Sequence, residues 1–416
     1  MRVALFNKSI ASAFLLSLLF FCSCEGPVDR TKVKDSFNKE DSILNASESE
    51  SNLEKSSESS IKEYSGVDFY LENSGSMDGY VADKTEFPDH LKNVLYAIDN
   101  GEMNLYYANK LILKINKTPK DFFAELNPTS FKKEGGNRAS TDIAELLDSI
   151  LSRHNKKNIT VIASDFIFSP GKDKDAENYL KDQRIEVKRV TNRVLKKHKN
   201  ISIMVYRFIS SFNGNYYNKI DSKSYITHSR PFFIWIIGDK EYLRDVKRKF
   251  EKENIDFKNS TYFSLEDENN IEWRVIAGKN MRITPGNKHS IENLEKDPHT
   301  NLCKFKIEAK LPLLLDESYI LDTSNYICDK GYTVSKVSKV DEDIYRIDIQ
   351  SPKAYKKITS VSLKNNTPSW VSTYNDTDGD DITQTYDKTY GLEYLLGGVK
   401  DAFDQDNYAI FKIQIK

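Results

Sequence analysis

An acid and two hydroxyls fall on alternate positions straight after an apolar run. Val67-Asp68-Phe69-Tyr70-Leu71 leads into Glu72-Asn73-Ser74-Gly75-Ser76. One carboxylate and two serine oxygens in a tight, glycine-containing turn suit a hard cation. Mg²⁺ takes oxygen ligands in octahedral geometry at about 2.0–2.1 Å and keeps some of its waters. Two further polar clusters could join them. Gly135-Gly136-Asn137-Arg138-Ala139-Ser140-Thr141-Asp142 is a Gly-rich loop carrying Thr141, and the apolar run Ile159 to Ser164 closes on Asp165. Each cluster also has an ordinary structural role open to it. Serines tie turns through side chain–backbone hydrogen bonds, and Ser140 or Thr141 can cap a helix. Glu145 stands one residue late for a capping box from Thr141. Asp165 can cap the turn that follows it.

These residues must be held by an alternation of strands and helices. Apolar runs at Val67–Leu71, Met103–Tyr107, Ile159–Ser164, Ile201–Phe208 and Phe232–Ile237 read as strands. Helical stripes lie between them at His90–Ile98, Thr141–Arg153, Ala176–Lys197 and Lys240–Lys252. Alternation of this kind implies crossover connections, hence an α/β, doubly wound, mostly parallel sheet over residues 63–258. Near-continuous apolar strands such as Phe232–Ile237 fit central positions. In open parallel sheets ligands bind beyond the carboxyl ends of the strands. Glu72, Thr141 and Asp165 all fall there.

The three elements together resemble the metal-ion-dependent adhesion site of von Willebrand factor type A domains. That pattern is Asp-x-Ser-x-Ser on the first strand, a loop threonine, and a strand-terminal Asp, in this order. The resemblance covers residues 66 to 254, under half of the chain. It implies that Ser74, Ser76 and Thr141 are direct hydroxyl ligands of Mg²⁺ or another divalent cation. Glu72 and Asp165 would act mainly through metal-bound waters, and an acidic side chain of a protein or peptide partner would complete the octahedron. The departure is Glu72, one methylene longer than the Asp of the pattern. Asp68 alternates with the buried side of its strand and is expected at the surface, and Asp78 could partly substitute for the missing Asp. The loop Phe166-Ile167-Phe168-Ser169-Pro170-Gly171 either forms an apolar binding rim or packs beneath its neighbours. Ser210 to Arg230 reads as an insertion, a hairpin on that rim.

From about Asn270 the period changes to two. Cys303–Ala309, Ile344–Ile349 and Ile410–Ile415 alternate apolar with polar. Such strands imply an antiparallel β-sandwich over residues 259–416. The helical segment Gly391–Phe403 either plugs one end of this sandwich or docks on the first domain. Cys303 and Cys328 are the only cysteines after Cys24. They could pair as a disulfide in an oxidising compartment, with two free thiols as the alternative. Asp376-Thr377-Asp378-Gly379-Asp380-Asp381 has alternating acids like a Ca²⁺ loop but lacks the bidentate glutamate, so it reads first as a solvated acidic turn.

The N-terminus directs the chain elsewhere. Arg2 and Lys8 precede an apolar stretch, Ile10 to Phe21. It is too short for the roughly 20 apolar residues of a membrane span. It reads as an export signal over residues 1–24, and Phe-Cys-Ser-Cys resembles a bacterial lipobox with Cys24 as the lipidated residue. Residues 25–62 are rich in Ser, Glu, Lys and Asn and read as a disordered tether. The expected location is the cell envelope, lipid-anchored, on the periplasmic or surface face of an outer membrane. The formal net charge of −1 gives no global field for nucleic acid or for acidic lipid. Basic runs such as Lys196-Lys197-His198-Lys199 read as solvated helix faces. No histidine accompanies Ser74 or Ser76 as nucleophile and base, so a binding protein is expected rather than an enzyme. A metal-free structural or assembly scaffold of the envelope is the alternative.

Overall fold

The computed structural model describes residues 63–133, 136, 138, 142–172, 174–329 and 331–416. The segments expected as export signal (residues 1–24, with Cys24) and tether (residues 25–62), and Thr141, lie outside the described residues. All described residues belong to one compact unit, Glu54–Lys416. No described helix is long and apolar enough to cross a membrane.

Seven strands form the main sheet: β1 (Gly66–Glu72), β2 (Met103–Ala108), β3 (Ile112–Ile115), β4 (Asn158–Ser164), β5 (Ile201–Tyr217), β6 (Lys223–Asp239) and β7 (Asn259–Phe263). Their order is β3-β2-β1-β4-β6-β5-β7. β1 runs parallel to both β2 and β4, and the other neighbours are antiparallel. Thus β1, β2, β4 and β5 share one direction while β3, β6 and β7 oppose it. The departure from a simple doubly wound sheet has a clear cause. The polar segment 210–230 does not leave the sheet; it extends β5 and β6 into 17-residue strands joined by a turn at 218–222. A hairpin connection can only make its strands antiparallel.

Helices α1 (Phe87–Ile98), α2 (Pro119–Glu125), α3 (Pro128–Lys133), α4 (Ile143–Leu151), α5 (Ala176–Lys197) and α6 (Lys240–Lys252) intervene. Alternation along β1 shows why both faces are covered. Phe69 and Leu71 join an apolar cluster with Leu91 and Val94 of α1 and Val246 of α6, whereas Tyr70 joins a second cluster with Leu147 of α4 and Val187 of α5. A strand buried on both sides needs a near-continuous apolar sequence, and β1 is buried along its whole length. The starts of α4, α5 and α6 are fixed by aspartates, which satisfy N–H groups that the first turn leaves free. Asp175 and Asp142 accept from the backbone N–H groups of Asn178 and Glu145 at 2.8 and 3.0 Å. The cap of α4 is therefore Asp142 rather than Ser140 or Thr141.

The remaining strands are β8 (Trp273–Ile276), β9 (Arg282–Ile283), β10 (Ser290–Glu292), β11 (Cys303–Lys310), β12 (Tyr326–Cys328), β13 (Thr333–Lys339), β14 (Ile344–Ser351), β15 (Ile358–Lys364), β16 (Asn375–Asp376), β17 (Thr389–Tyr390) and β18 (Asn407–Ile415). They build a four-stranded sheet, β13-β14-β11-β8, and a five-stranded one, β12-β15-β18-β10-β9, with β16-β17 as a separate pair. Ile307 and Ile347 from one sheet and Val361 and Phe411 from the other share an apolar cluster. Inner faces that interdigitate in this way are what the period-two pattern requires. β7, although it follows residue 258, belongs to the main sheet. Helices α7 (Glu317–Leu321), α8 (Ser369–Thr373) and α9 (Leu392–Phe403) complete the chain.

Of the two fates open to Gly391–Phe403, the structure has α9 docked on α5. A Cβ at Gly398 would come within 2.6 Å of the Arg184 carbonyl oxygen. Only glycine allows this approach. Arg184 clamps Asp401 through two bonds of 2.7 and 3.0 Å, the fork geometry that favours Arg over Lys. Of the two states open to Cys303 and Cys328, the structure has free thiols in place of the disulfide. β11 and β12 lie in different sheets, and each thiol meets a different backbone group, at Ala354 and Val334. Burial raises both, that of Cys328 to about 11. Both therefore stay protonated and unreactive at neutral pH.

Candidate functional site

The carboxyl ends of β1 and β4 lie side by side, because Leu71 pairs with Ala163. Their polar extensions, Glu72 to Ser76 and Ser164 to Asp165, therefore form one cluster. Glu72 is buried and accepts a hydrogen bond from the Ser164 hydroxyl, which in turn accepts from the Phe166 N–H at 2.8 Å. Its extra methylene reaches across to the neighbouring strand. Asn73, fully buried, accepts at Oδ1 from Asn109 Nδ2 at 2.7 Å. The turn then tightens into a 3₁₀ segment, Gly75–Gly79, which brings the Ser74 and Ser76 hydroxyls to 2.9 Å from each other. That spacing is an ordinary hydroxyl–hydroxyl hydrogen bond. It is also the edge of an octahedron: adjacent oxygens around an ion at about 2.05 Å lie about 2.9 Å apart.

Asp165 supplies the charge. It is 2% exposed, its Oδ1 accepts weakly from the Ile167 N–H at 3.4 Å, and its Oδ2 is buried with no hydrogen-bond partner. Burial pushes this carboxyl up to about 6, against the opposing pull of Arg230, the Ile167 N–H and the Ser76 hydroxyl. Desolvation disfavours the charged form, and here it outweighs the nearby positive charge. Phe166, the next residue, has a positive φ. That backbone is strained for a bulky side chain. It is held there by stacking on Trp235 at 4.9 Å. Phe166 and Phe168 are both buried, so this loop packs beneath its neighbours and forms no apolar rim.

Two arginines outside the three sequence elements' ligand positions shape the site. Arg138, from the Gly-rich loop, donates to the Asn73 carbonyl at 2.6 Å and the Ser74 carbonyl at 3.2 Å, and pairs with Asp78. Asp78 is thereby committed to Arg138 and to Lys132, 3.6 Å away, instead of substituting in a metal shell. Arg230 is 1% exposed and sits 4.6 Å from the Tyr216 ring centroid. Its guanidinium donates to the carbonyls of Tyr386 and Lys388 at 3.3 and 3.4 Å, while its Nε has no partner. Nothing in the sequence signals either role, since both partnerships join distant segments. Asp68, expected at the surface, is buried and accepts from Asn104 and Asn158, each at 3.0 Å.

The hairpin β5–β6 covers this cluster. Its outer half lies over the 3₁₀ turn so closely that a Cβ at Gly79 would come within 2.4 Å of the Phe212 ring, and one at Gly75 within 3.4 Å of the Tyr217 hydroxyl. Glu72, Ser74 and Asp165 are consequently buried, and Gly75 and Ser76 are the half-buried members. The structure thus brings together Glu72, Ser74, Ser76 and Asp165. Thr141 lies outside the described residues.

No protein-family model matches the chain, and comparison with curated proteins gives no match.

Among the described residues no group of three or more His, Cys, Asp or Glu side chains is arranged to hold a metal. Two hydroxyls and one carboxylate are a donor set of a different kind, and of these the structure gives the Ser74–Ser76 spacing of 2.9 Å. The acidic turn at Asp376–Asp381 has other commitments. Asp376 accepts from the N–H groups of Asp378 and Gly379 at 2.9 and 3.1 Å and from the Thr385 hydroxyl at 3.1 Å. Asp381 accepts from Thr383, and Lys219 binds Asp380 at 2.7 Å.

Proposed function

We propose that this chain is a lipid-anchored protein of the bacterial cell envelope. Its head binds a protein or peptide partner through a divalent cation at the carboxyl edge of the main sheet. The observation that carries the reading is the unpartnered, buried Oδ2 of Asp165 beside two hydroxyls at an octahedral-edge spacing. Burial outweighs the compensation that Arg230, the Ile167 N–H and the Ser76 hydroxyl give this carboxylate, and a cation would offset the remaining cost. The resemblance of Glu72-x-Ser74-x-Ser76 and Asp165 to the adhesion site of von Willebrand factor type A domains supports the same reading. Ser74, Ser76 and Asp165 would hold the ion, with Thr141 as the loop ligand implied by that resemblance. Glu72 would brace β1 against β4 through Ser164 instead of binding the ion. A bound Mg²⁺ would supply a positive centre for a partner's carboxylate. The half-buried Gly75–Ser76 edge is where that carboxylate would approach. The lipobox at Cys24 and the polar tether support the anchored location.

Calorimetric titration of the head with Mg²⁺ and Mn²⁺ is the test. Binding at micromolar to millimolar concentration is expected, weakened at least about thirtyfold, or about 2 kcal/mol, by Asp165→Asn. Absence of binding at millimolar concentration of either ion removes the adhesion reading. Arg230 favours the second reading, a metal-free envelope scaffold, because its buried guanidinium already places positive charge near Asp165. Titration separates the two.

A further inference from the structure

At the amino edge of the main sheet, opposite the candidate site, basic groups gather around the start of β4 and the end of α5, whereas the exposed acids Glu63, Asp99 and Glu102 lie along the same edge beside the starts of β1 and β2. The turn before β4 contributes Arg153, Lys156 and Lys157, and the end of α5 contributes Lys196, Lys197 and Lys199. All six side chains are exposed, and among the described residues none is ion-paired with a carboxylate. Arg189 and Arg193 nearby are different, since Glu186 and Asp148 neutralise them. Between the two basic segments lies a pocket of about 220 Å³ walled by His154 and His198, whose rings stand 5.2 Å apart. Asp239 also lines it, but its carboxylate is turned to the Glu241 N–H as the cap of α6.

The chain enters the head at this same edge. The Ser65 N–H donates to the Lys157 carbonyl at 2.7 Å, and Gly66 pairs with Asn158. Every residue between the lipobox and the sheet therefore precedes this basic pole. Strand β4, from Asn158 to Ser164, separates the pole from Asp165. At about 3.3 Å per residue that separation is about 23 Å. A chain anchored ahead of residue 63 would therefore attach at this edge of the sheet, on the side away from the candidate site.

We propose that this pole is a docking surface for an anionic lipid bilayer, which orients the head with its carboxyl-edge site pointing outward. The proposal rests on the envelope-anchored reading for its biological setting, and its chemistry rests on charge complementarity alone. Each basic residue near an anionic leaflet raises partitioning by about fivefold, and the effect decays within a Debye length of about 8 Å at 0.15 M salt.

The head beginning at Glu54, which carries no anchor, is co-sedimented with vesicles of mixed phosphatidylglycerol and phosphatidylcholine, and with phosphatidylcholine alone. Binding to the anionic vesicles is expected to exceed binding to the neutral ones by more than about tenfold, and to fall as salt is raised. Lys156→Glu with Lys197→Glu and Lys199→Glu should abolish that difference, and the corresponding Gln set should reduce it partway. Equal binding to both vesicle types, or binding indifferent to these substitutions, overturns the proposal. So does binding displaced by inorganic phosphate at constant ionic strength, which would mark a phosphate pocket instead. Failure here leaves the anchored reading intact, because that reading is tested separately by mass spectrometry of the full chain for lipid on Cys24.

Discussion

Asp165 and Asp376 are both buried acids beside the β5–β6 hairpin, at 2% and 5% exposure, and both act on Tyr216. Their surroundings differ. Asp376 folds back on its own turn, with Oδ1 and Oδ2 both taken by donors from residues 378, 379 and 385. Asp165 follows the end of β4, the residue after it has a positive φ, and its Oδ2 has no hydrogen-bond partner. The acidic turn has more carboxylates, yet they serve its own backbone and Lys219. On the proposed reading, what distinguishes the two segments is not the number of acids but whether a carboxylate oxygen is left over once the turn is made.

The difference can be broken at Asp165 first, where the largest effect is expected. Its folded-state value of about 6 lies above that of an ordinary aspartate, so protonation favours the fold. This contribution is fully present below about pH 4 and is lost as pH rises through 6, a change of about 3 kcal/mol at roughly 1.4 kcal/mol per unit. Urea unfolding of the wild type and Asp165→Asn, both free of divalent ions, should show a gap that changes by about this amount between pH 4 and 7. Mg²⁺ should narrow the gap at pH 7. A gap independent of pH would mean that Asp165 is already compensated.

Asp376→Ala probes the other acid. It deletes the acceptor of two backbone N–H groups and a hydroxyl. A loss of about 1–2 kcal/mol is therefore expected in urea unfolding. Mg²⁺ affinity should stay within about twofold, or about 0.4 kcal/mol. A large loss of affinity would erase the contrast between the two turns. The smallest effect is expected for Lys219→Ala. Its partner Asp380 is largely open to solvent. Ion pairs of this kind contribute about 0.5 kcal/mol or less. Salt titration of the thermal midpoint resolves a shift of that size.

Much of the frame is legible from residue types. The helices at 176–197 and 240–252 match the periodic stripes end to end, and β1, β4 and β11 match their apolar or alternating runs closely. Period and capping acids are local signals, which a chain expresses whatever its neighbours. The direction of β6 is not legible, because polar residues 210–230 look like an insertion until their pairing is known. Asp68 is read as exposed for a related reason. A buried acid is tolerated where Asn104 and Asn158 reach it, and those residues come from two other strands.

The sequence by itself determined the strand-ending polar triplet, the acid at Asp165 after a second apolar run, the period change near residue 270 and the basic-then-apolar pattern of residues 1–24. Each is written within a dozen or so residues. Only the tertiary structure decided that Glu72 would turn to Ser164, that Arg138 and Arg230 would flank the turn, and that the hairpin would roof it. It also decided that Lys156 and Lys199 would meet at one pole. These are partnerships across strands and loops far apart in the chain. Their energies depend on burial and distance, which no local pattern of residues contains.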